Sequence, residues 1–131
     1  MVCVSQSTMG SESNELEPQH CWLAIDAGAT RIRVAPICFS GRAQLCGPVA
    51  VENFDSSSGP SRVAQAARLI RTVAEAAGWS PPFRLGLAWA GAPGVDGLGT
   101  VAARYGPAIP DLVPRLAALV PLQNTPCLHS D

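Results

Sequence analysis

The chain has 131 residues, of which 47% are hydrophobic and 15% charged, and its formal net charge is −1 at pH 7. This length and apolar fraction are sufficient for one domain with a buried core. A charge so near zero, with no basic run, gives no electrostatic basis for binding nucleic acid or a membrane surface. No apolar run is long enough to span a bilayer, and no secretory signal pattern opens the sequence. We therefore predict a cytoplasmic protein that binds neither nucleic acid nor a membrane.

The predicted elements follow a polar leader. Residues 1–20 are rich in Ser, Glu, Gln and Asn and have no apolar period, so we interpret them as a disordered leader and residues 21–131 as the folded domain. Alternating and continuous apolar runs then predict three strands joined by short turns, which form an antiparallel meander. These strands are predicted at residues 22–26, 31–39 and 43–51, the last interrupted by Gly47-Pro48.

The second half of the chain alternates helices with strands. Apolar spacing predicts a helix over residues 61–77 with Ser61 as its N-cap, followed by a buried parallel strand at residues 83–90. The remaining predicted elements are a glycine-rich loop at 91–100, a short strand at 101–104, a helix capped by Asp111 and a strand at 126–129. This order predicts an α/β fold with a mixed sheet, in which a three-strand meander precedes helix, strand, helix and strand, as in the ribonuclease-H-like fold.

The five cysteines are scattered along the sequence and odd in number. They form no CxxC motif, and no Cys/His pair has metal-ligand spacing. In a cytosolic protein such cysteines are expected to be reduced, partly buried thiols. We make this prediction for Cys3, Cys21, Cys38, Cys46 and Cys127.

The stretch LAIDAGATRIRVA, residues 23–35, has the clearest chemical pattern. Asp26 stands at the end of the first predicted strand, and a turn of small residues follows it and ends at Thr30. A carboxylate at a strand end can hold a divalent cation, and small residues let backbone N–H groups approach phosphate oxygens. The stretch is neither a P-loop nor a dinucleotide fingerprint, because its turn enters a strand. A hairpin turn that uses Asp and Gly for geometry alone explains the same residues.

LAIDAGATRIRVAPICFSGR resembles the first phosphate motif of the actin/hexokinase/Hsp70-type ATPase superfamily. LGLAWAGAPGVDGLG and PCLHSD are similar to segments of ROK-type sugar kinases and glucokinases. The resemblance implies the N-terminal lobe of such a kinase without its C-terminal lobe, and ATP-dependent phosphoryl transfer to a sugar hydroxyl in the full-length relatives. It also implies that Asp26 orients Mg²⁺ through water and that the turn formed by Ala27, Gly28, Ala29 and Thr30 binds the phosphates of ATP.

The same resemblance implies a sugar site and a catalytic base. Gly91, Pro93, Gly94 and Ser130 would contact the sugar, and Asp131 would take the proton from the attacking sugar hydroxyl. Because the family's second phosphate motif is absent from the sequence, we expect this chain alone to show no sugar-dependent ATP hydrolysis. Whether the chain is itself an enzyme is left open. An exposed apolar face on a single lobe also predicts self-association.

The sequence also allows two alternatives to a sugar-kinase lobe. A resolvase-like, metal-dependent nuclease of the same fold would use Asp26 as a metal ligand. Such a nuclease also needs carboxylates on later strands, and the segment FRLGLAWAGAP has none. A non-catalytic remnant of a kinase would keep the fold, and Ala27 and Ala29, which stand where glycines are found in relatives, agree with such a role.

Overall fold

The computed structural model describes residues 20–103 and 106–130. Residues 1–19, which make up nearly all of the predicted leader, and Asp131 lie outside the described residues. The helices and strands of the described part are, in chain order, β1 (Cys21–Ala27), β2 (Arg31–Phe39), β3 (Ala43–Leu45), β4 (Ala50–Asn53), α1 (Gly59–Ala76), β5 (Leu85–Trp89), β6 (Ala92–Pro93), β7 (Thr100–Ala102), α2 (Leu112–Leu119) and β8 (Leu128–Ser130).

One mixed sheet contains most of these strands. It has the order β3-β2-β1-β5-β8, and β4 also pairs with β2. Strands β2, β3 and β4 form the antiparallel part, while β1, β5 and β8 run parallel to one another and are connected through α1 and α2. The predicted α/β fold class, with an antiparallel meander followed by helical crossovers, is confirmed.

The hydrophobic core follows the apolar alternation of the strands. In β2 the side chains of Ile32, Val34 and Pro36 are buried, and Arg31 and Arg33, which alternate with Ile32 and Val34, are exposed. Helices α1 and α2 contact each other and bury one face each. Large side chains with no more than 1% exposure include Leu23, Ile32, Val34, Val63, Ile70, Leu85, Leu112, Leu116 and Val120. Within the described ranges, no helix is both long enough and apolar enough to span a membrane.

The predicted third strand, 43–51, is two strands in the structure. Both β3 and β4 pair with β2, because Leu45 lies opposite Ile37 and Ala50 lies opposite Val34. Pro48 lies in the intervening segment and has no N–H to give to a ladder, so pairing stops there and resumes after it. Both segments therefore extend the same edge of β2.

The predicted helix caps are also corrected. Helix α1 begins at Gly59 and is capped by Ser58, whose hydroxyl accepts a hydrogen bond from the Ser61 N–H. Pro60 fits the first turn because the N–H that proline lacks has no intrahelical partner there. At α2 the Asp111 side chain makes no capping hydrogen bond and instead accepts one from Arg115 Nε at 3.2 Å.

The prediction of reduced thiols is wrong for Cys38 and Cys46, which form a disulfide, and for Cys127, which is also disulfide-bonded. The β2–β3 hairpin folds the chain back and places the Cys38 and Cys46 Cα atoms 6.1 Å apart, within the range that a disulfide spans. The Cys21 sulfur, on the adjacent β1, lies 3.6 Å from the Cys38 sulfur. Partial burial raises the pKa of the Cys21 thiol.

Candidate functional site

The carboxyl ends of the three parallel strands are level with one another. Ala27 at the end of β1 is in register with Trp89 at the end of β5, and Trp89 is in register with Ser130 on β8. Neighbouring strands are about 4.8 Å apart, so the segments that follow these residues leave the sheet side by side. In open α/β sheets this edge is where ligands bind. The fold thus brings the predicted phosphate turn and the beginning of the predicted sugar loop to one edge, where β8 also ends.

The turn after β1 is a tight hairpin connection. The Gly28 N–H donates to the Arg31 carbonyl at 2.8 Å, which closes the turn. The backbone N–H groups of Ala29 and Thr30 make no hydrogen bond with any described residue. No described residue other than glycine has a positive φ, so Ala29 fits the turn without backbone strain. The turn therefore has two backbone donors available for an acceptor.

Neighbouring segments hold the turn in place. The Thr30 carbonyl accepts from the Phe54 N–H at 2.8 Å, and the Ala27 carbonyl accepts from the Ala90 N–H at 2.7 Å. The first bond joins the turn to the segment after β4, and the second joins it to the end of β5. The Phe54 ring in turn packs on Trp89, with ring centroids 5.8 Å apart.

Asp26 opens onto a pocket of about 530 Å³ beside the turn. Its side chain is 48% exposed, and its Oδ2 lies 3.9 Å from Arg33 Nη2. The β1–β2 register places Arg33 directly opposite Asp26. An exposed ion pair of this kind has a small net energy and is easily exchanged for other partners. The pocket is lined by Asp26, Gly28, Ala29, Thr30, Arg31, Ile32, Arg33 and Val51.

The charge of this pocket suits a phosphate group. Two guanidinium groups and one carboxylate line it, so its formal charge is positive and it attracts anions. Sequence reasoning identified Asp26 and the turn but missed Arg31 and Arg33. The signal was present in the alternation of β2, which exposes both arginines on one face, but their distance from Asp26 depends on the hairpin register.

The donor set fits a magnesium ion bound together with a phosphate ligand. Mg²⁺ is commonly held by one or two carboxylates, with water and substrate phosphates completing its coordination. Asp26 offers one half-exposed carboxylate beside the donors of the turn. Among residues 20–103 and 106–130, no three His, Cys, Asp or Glu side chains gather at one point. The described residues therefore do not supply the set of carboxylates that the nuclease alternative requires.

The predicted glycine-rich loop contains a small two-stranded sheet. Strand β6 pairs with β7, and the Gly94 N–H donates to the Gly99 carbonyl at 2.8 Å. Gly91 has φ +129°, and a Cβ there would approach the Ala102 carbonyl oxygen to 3.0 Å. Gly91, Pro93 and Gly94 do not line the pocket of Asp26, but β6 contacts β8, the strand that carries Ser130.

A buried arginine, which sequence reasoning also missed, lies behind the phosphate turn. Arg62, in the first turns of α1, is 9% exposed and donates from Nη1 to the Ala29 carbonyl at 2.8 Å. It also donates from Nε to the Ser56 carbonyl at 2.8 Å. Its Cζ lies 4.3 Å from the centroid of the Phe54 ring. A charged side chain thus connects the helix to the turn.

No protein-family model and no curated protein matches the chain. Solved structures do share its fold. A ROK family transcriptional regulator, a homolog of the E. coli MLC protein, is 12% identical with a TM-score of 0.66, over 85% of this chain and 28% of the regulator. The ROK hexokinase from Thermus thermophilus is 17% identical with a TM-score of 0.67, over 84% of this chain and 35% of the hexokinase. Glucokinase from Parabacteroides distasonis is 13% identical with a TM-score of 0.64, over 85% of this chain and 30% of the glucokinase.

The chain spans about a third of the length of these proteins. At such low identity the likeness is evidence for the fold. That fold agrees with the resemblance found in the sequence, and the chain has the mixed α/β fold of ROK and hexokinase-like proteins.

Proposed function

We propose that the chain is a sugar-kinase-like, ATP-binding lobe, whose full-length form transfers a phosphoryl group from ATP to a sugar hydroxyl. The observation that carries the proposal is the turn after β1, where the free N–H groups of Ala29 and Thr30 stand beside the half-exposed carboxylate of Asp26. A phosphate needs closely placed donors and a metal-binding acid nearby, and this short segment has both. The fold shared with a hexokinase and a glucokinase supports the same function.

In this proposal each predicted residue has one task. Asp26 holds Mg²⁺ through water, and the turn from Ala27 to Thr30 donates to phosphate oxygens. Gly91, Pro93, Gly94 and Ser130 contact the sugar, and Asp131 accepts the proton of the attacking hydroxyl. Mg²⁺ would neutralise phosphate charge. Catalysis of phosphoryl transfer consists mainly of positioning and charge stabilisation, so it needs the parts of the ATP site that a second lobe supplies.

Binding of Mg²⁺-ATP to the 131-residue chain tests the proposal. We expect measurable binding by isothermal titration calorimetry, and we expect Asp26→Asn to weaken it about tenfold. Asp111→Asn is the matched control, because Asp111 is an exposed aspartate paired with Arg115 outside the pocket. Absence of binding, or equal binding by the wild type and Asp26→Asn, would contradict the proposal. Added sugar should produce no ATP hydrolysis by this chain alone.

A non-catalytic, regulatory role is the second candidate. Two observations favour it: the shared fold with a transcriptional regulator, and the Arg33 guanidinium 3.9 Å from the carboxylate that would serve the metal. The dependence of ATP binding on Mg²⁺ distinguishes the two functions. A kinase-like site should bind ATP more tightly with Mg²⁺ than with EDTA, whereas a site that uses Arg33 in place of the metal should bind equally in both.

A further inference from the structure

Arg62 is a buried positive charge without an acidic partner in the described part of the chain. The ion pairs there join Arg33 to Asp26, Arg68 to Glu52 and Arg115 to Asp111, and none includes Arg62. Burial lowers the pKa of the Arg62 guanidinium. Guanidinium nevertheless stays charged in proteins because its ordinary pKa is so high.

The surroundings of Arg62 stabilise its charge only in part. Two carbonyl oxygens, those of Ala29 and Ser56, accept hydrogen bonds from it, and the face of the Phe54 ring covers it. Gly106 also lies close to it, since a Cβ there would be 2.8 Å from Arg62 Nη1. Dipoles and one ring lower the cost of burying a charge but do not cancel the charge.

A connection between α1 and the neighbouring loop does not require a charge. Gln65, one turn further along α1, donates to the Glu52 side chain and the Asn53 carbonyl and accepts from the Asp55 N–H. It therefore joins the helix to the same loop with a neutral side chain. A neutral side chain could also join α1 to its neighbours. The positive charge of Arg62, directly behind the phosphate turn, therefore needs another explanation.

We infer that Arg62 is a positioning residue for anion binding: it holds the Ala29 carbonyl from behind and adds its positive charge to that of Arg31 and Arg33 for an anion in the turn. The Ala29 carbonyl and the Thr30 N–H belong to one planar trans peptide group, so the hydrogen bond from Arg62 to the carbonyl fixes the direction of that N–H on the opposite side. The ligand class is a polyanion, a chain of linked phosphates. The inference rests on the proposed function of the turn, and the guanidinium acts through the turn.

The test compares orthophosphate, pyrophosphate and tripolyphosphate as probes, without metal, on the wild type, Arg62→Lys and Arg62→Met. We expect Arg62→Met to weaken tripolyphosphate binding about tenfold, the effect of losing a charged hydrogen-bonding group. The loss should be smaller for pyrophosphate and smallest for orthophosphate, because the interaction with a fixed charge grows with the charge of the ligand. Arg62→Lys keeps the charge and should retain most of the affinity. Arg68→Met is the matched control, since Arg68 is an exposed arginine on the same helix, bound to Glu52.

Several results would contradict the role of Arg62 in anion binding. Equal losses for the three probes, or an Arg62→Lys variant as weak as Arg62→Met, would reduce Arg62 to a structural cross-link and overturn the inference. Absence of binding by the wild type to any probe would overturn it as well. If wild-type protein binds tripolyphosphate but not Mg²⁺-ATP, the proposed function fails while the role of Arg62 holds. If Arg62→Met does not fold, the comparison of the wild type with Arg62→Lys decides the matter, because only a charge role predicts the rescue.

Discussion

The turn after β1 and the glycine-rich segment after β5 lie at the same sheet edge but are held in different ways. Side chains from α1 bind the turn, β4 and the segment after β4, and two of the three are charged: Arg62, Gln65 and Arg68. The glycine-rich segment is joined to residues 109 and 110 by neutral groups: Thr100 bonds to the Ile109 backbone through its N–H and its hydroxyl, and Gly99 lies against Pro110. The first region should therefore respond to charge and pH, and the second to added volume.

Replacing Gly99 with alanine should have the largest effect. A Cβ at this position would overlap the backbone of Ile109 and Pro110, which cannot move away as a side-chain end can. We expect the free energy of unfolding to fall by about 3 kcal/mol in urea denaturation. Gly86→Ala is the control, since a Cβ on Gly86 meets nothing within 4 Å and alanine is favoured over glycine within a strand. Similar stabilities for the two variants would refute the steric account.

Removal of the Thr100 hydroxyl should have the second largest effect. Thr100 is fully buried, and its hydroxyl accepts from the Ile109 N–H at 2.7 Å. Thr100→Val keeps the shape but leaves that buried N–H without an acceptor, which costs about 2 kcal/mol. Hydrogen exchange at the Ile109 amide should become faster by a corresponding factor. Thr72→Val, at an exposed position of α1, should leave both quantities nearly unchanged.

The better predicted parts of the fold are those set by local patterns. The strand predicted at residues 31–39 matches β2, because alternating burial fixes both its type and its length. The predicted order of elements also holds, except that residues 43–51 form two strands and β6 is an additional one. The division of residues 43–51 into two strands was missed, because it depends on how the chain leaves and rejoins the edge of β2 around Pro48. Disulfide pairing also depends on the hairpin, and spacing in the sequence does not reveal it.

The candidate site was predictable only where one segment carries it. Asp26 and the turn stand together in the sequence, so their chemistry could be inferred from residue types alone. Arg62 lies at the start of an amphipathic helix, where a basic side chain is ordinarily solvated. It is buried where it contacts the Phe54 ring and lies close to Gly106, a residue distant in the sequence. Tertiary contacts of this kind leave no local pattern, and the glycine-rich segment after β5 was interpreted as a loop for the same reason.

The smallest effect, and the one that best separates the two regions, concerns Glu52 on β4. Its carboxylate accepts from Arg68 Nη2 at 2.8 Å and from Gln65 Nε2 at 2.9 Å. These hydrogen bonds lower the pKa of Glu52 below its ordinary 4.5 in the folded protein. The unfolded chain then takes up a proton more readily as the pH falls, so the stabilisation is present above pH 4.5 and is lost as the pH falls through the folded pKa.

Glu52→Gln should therefore lower the melting temperature at pH 7 by about 2 °C, since an exposed ion pair contributes little. At a pH below the folded pKa of Glu52 the wild-type carboxylate is protonated, so the two proteins should melt together there. Glu75→Gln, at an exposed position of α1 outside this network, is the control for simple loss of a charge and should match the wild type. Thr100→Val should instead keep its deficit in melting temperature at both pH values, because no titratable group takes part in its hydrogen bond. A Glu52→Gln deficit that persists at low pH would show that packing, and not charge, holds the loop beside the phosphate turn.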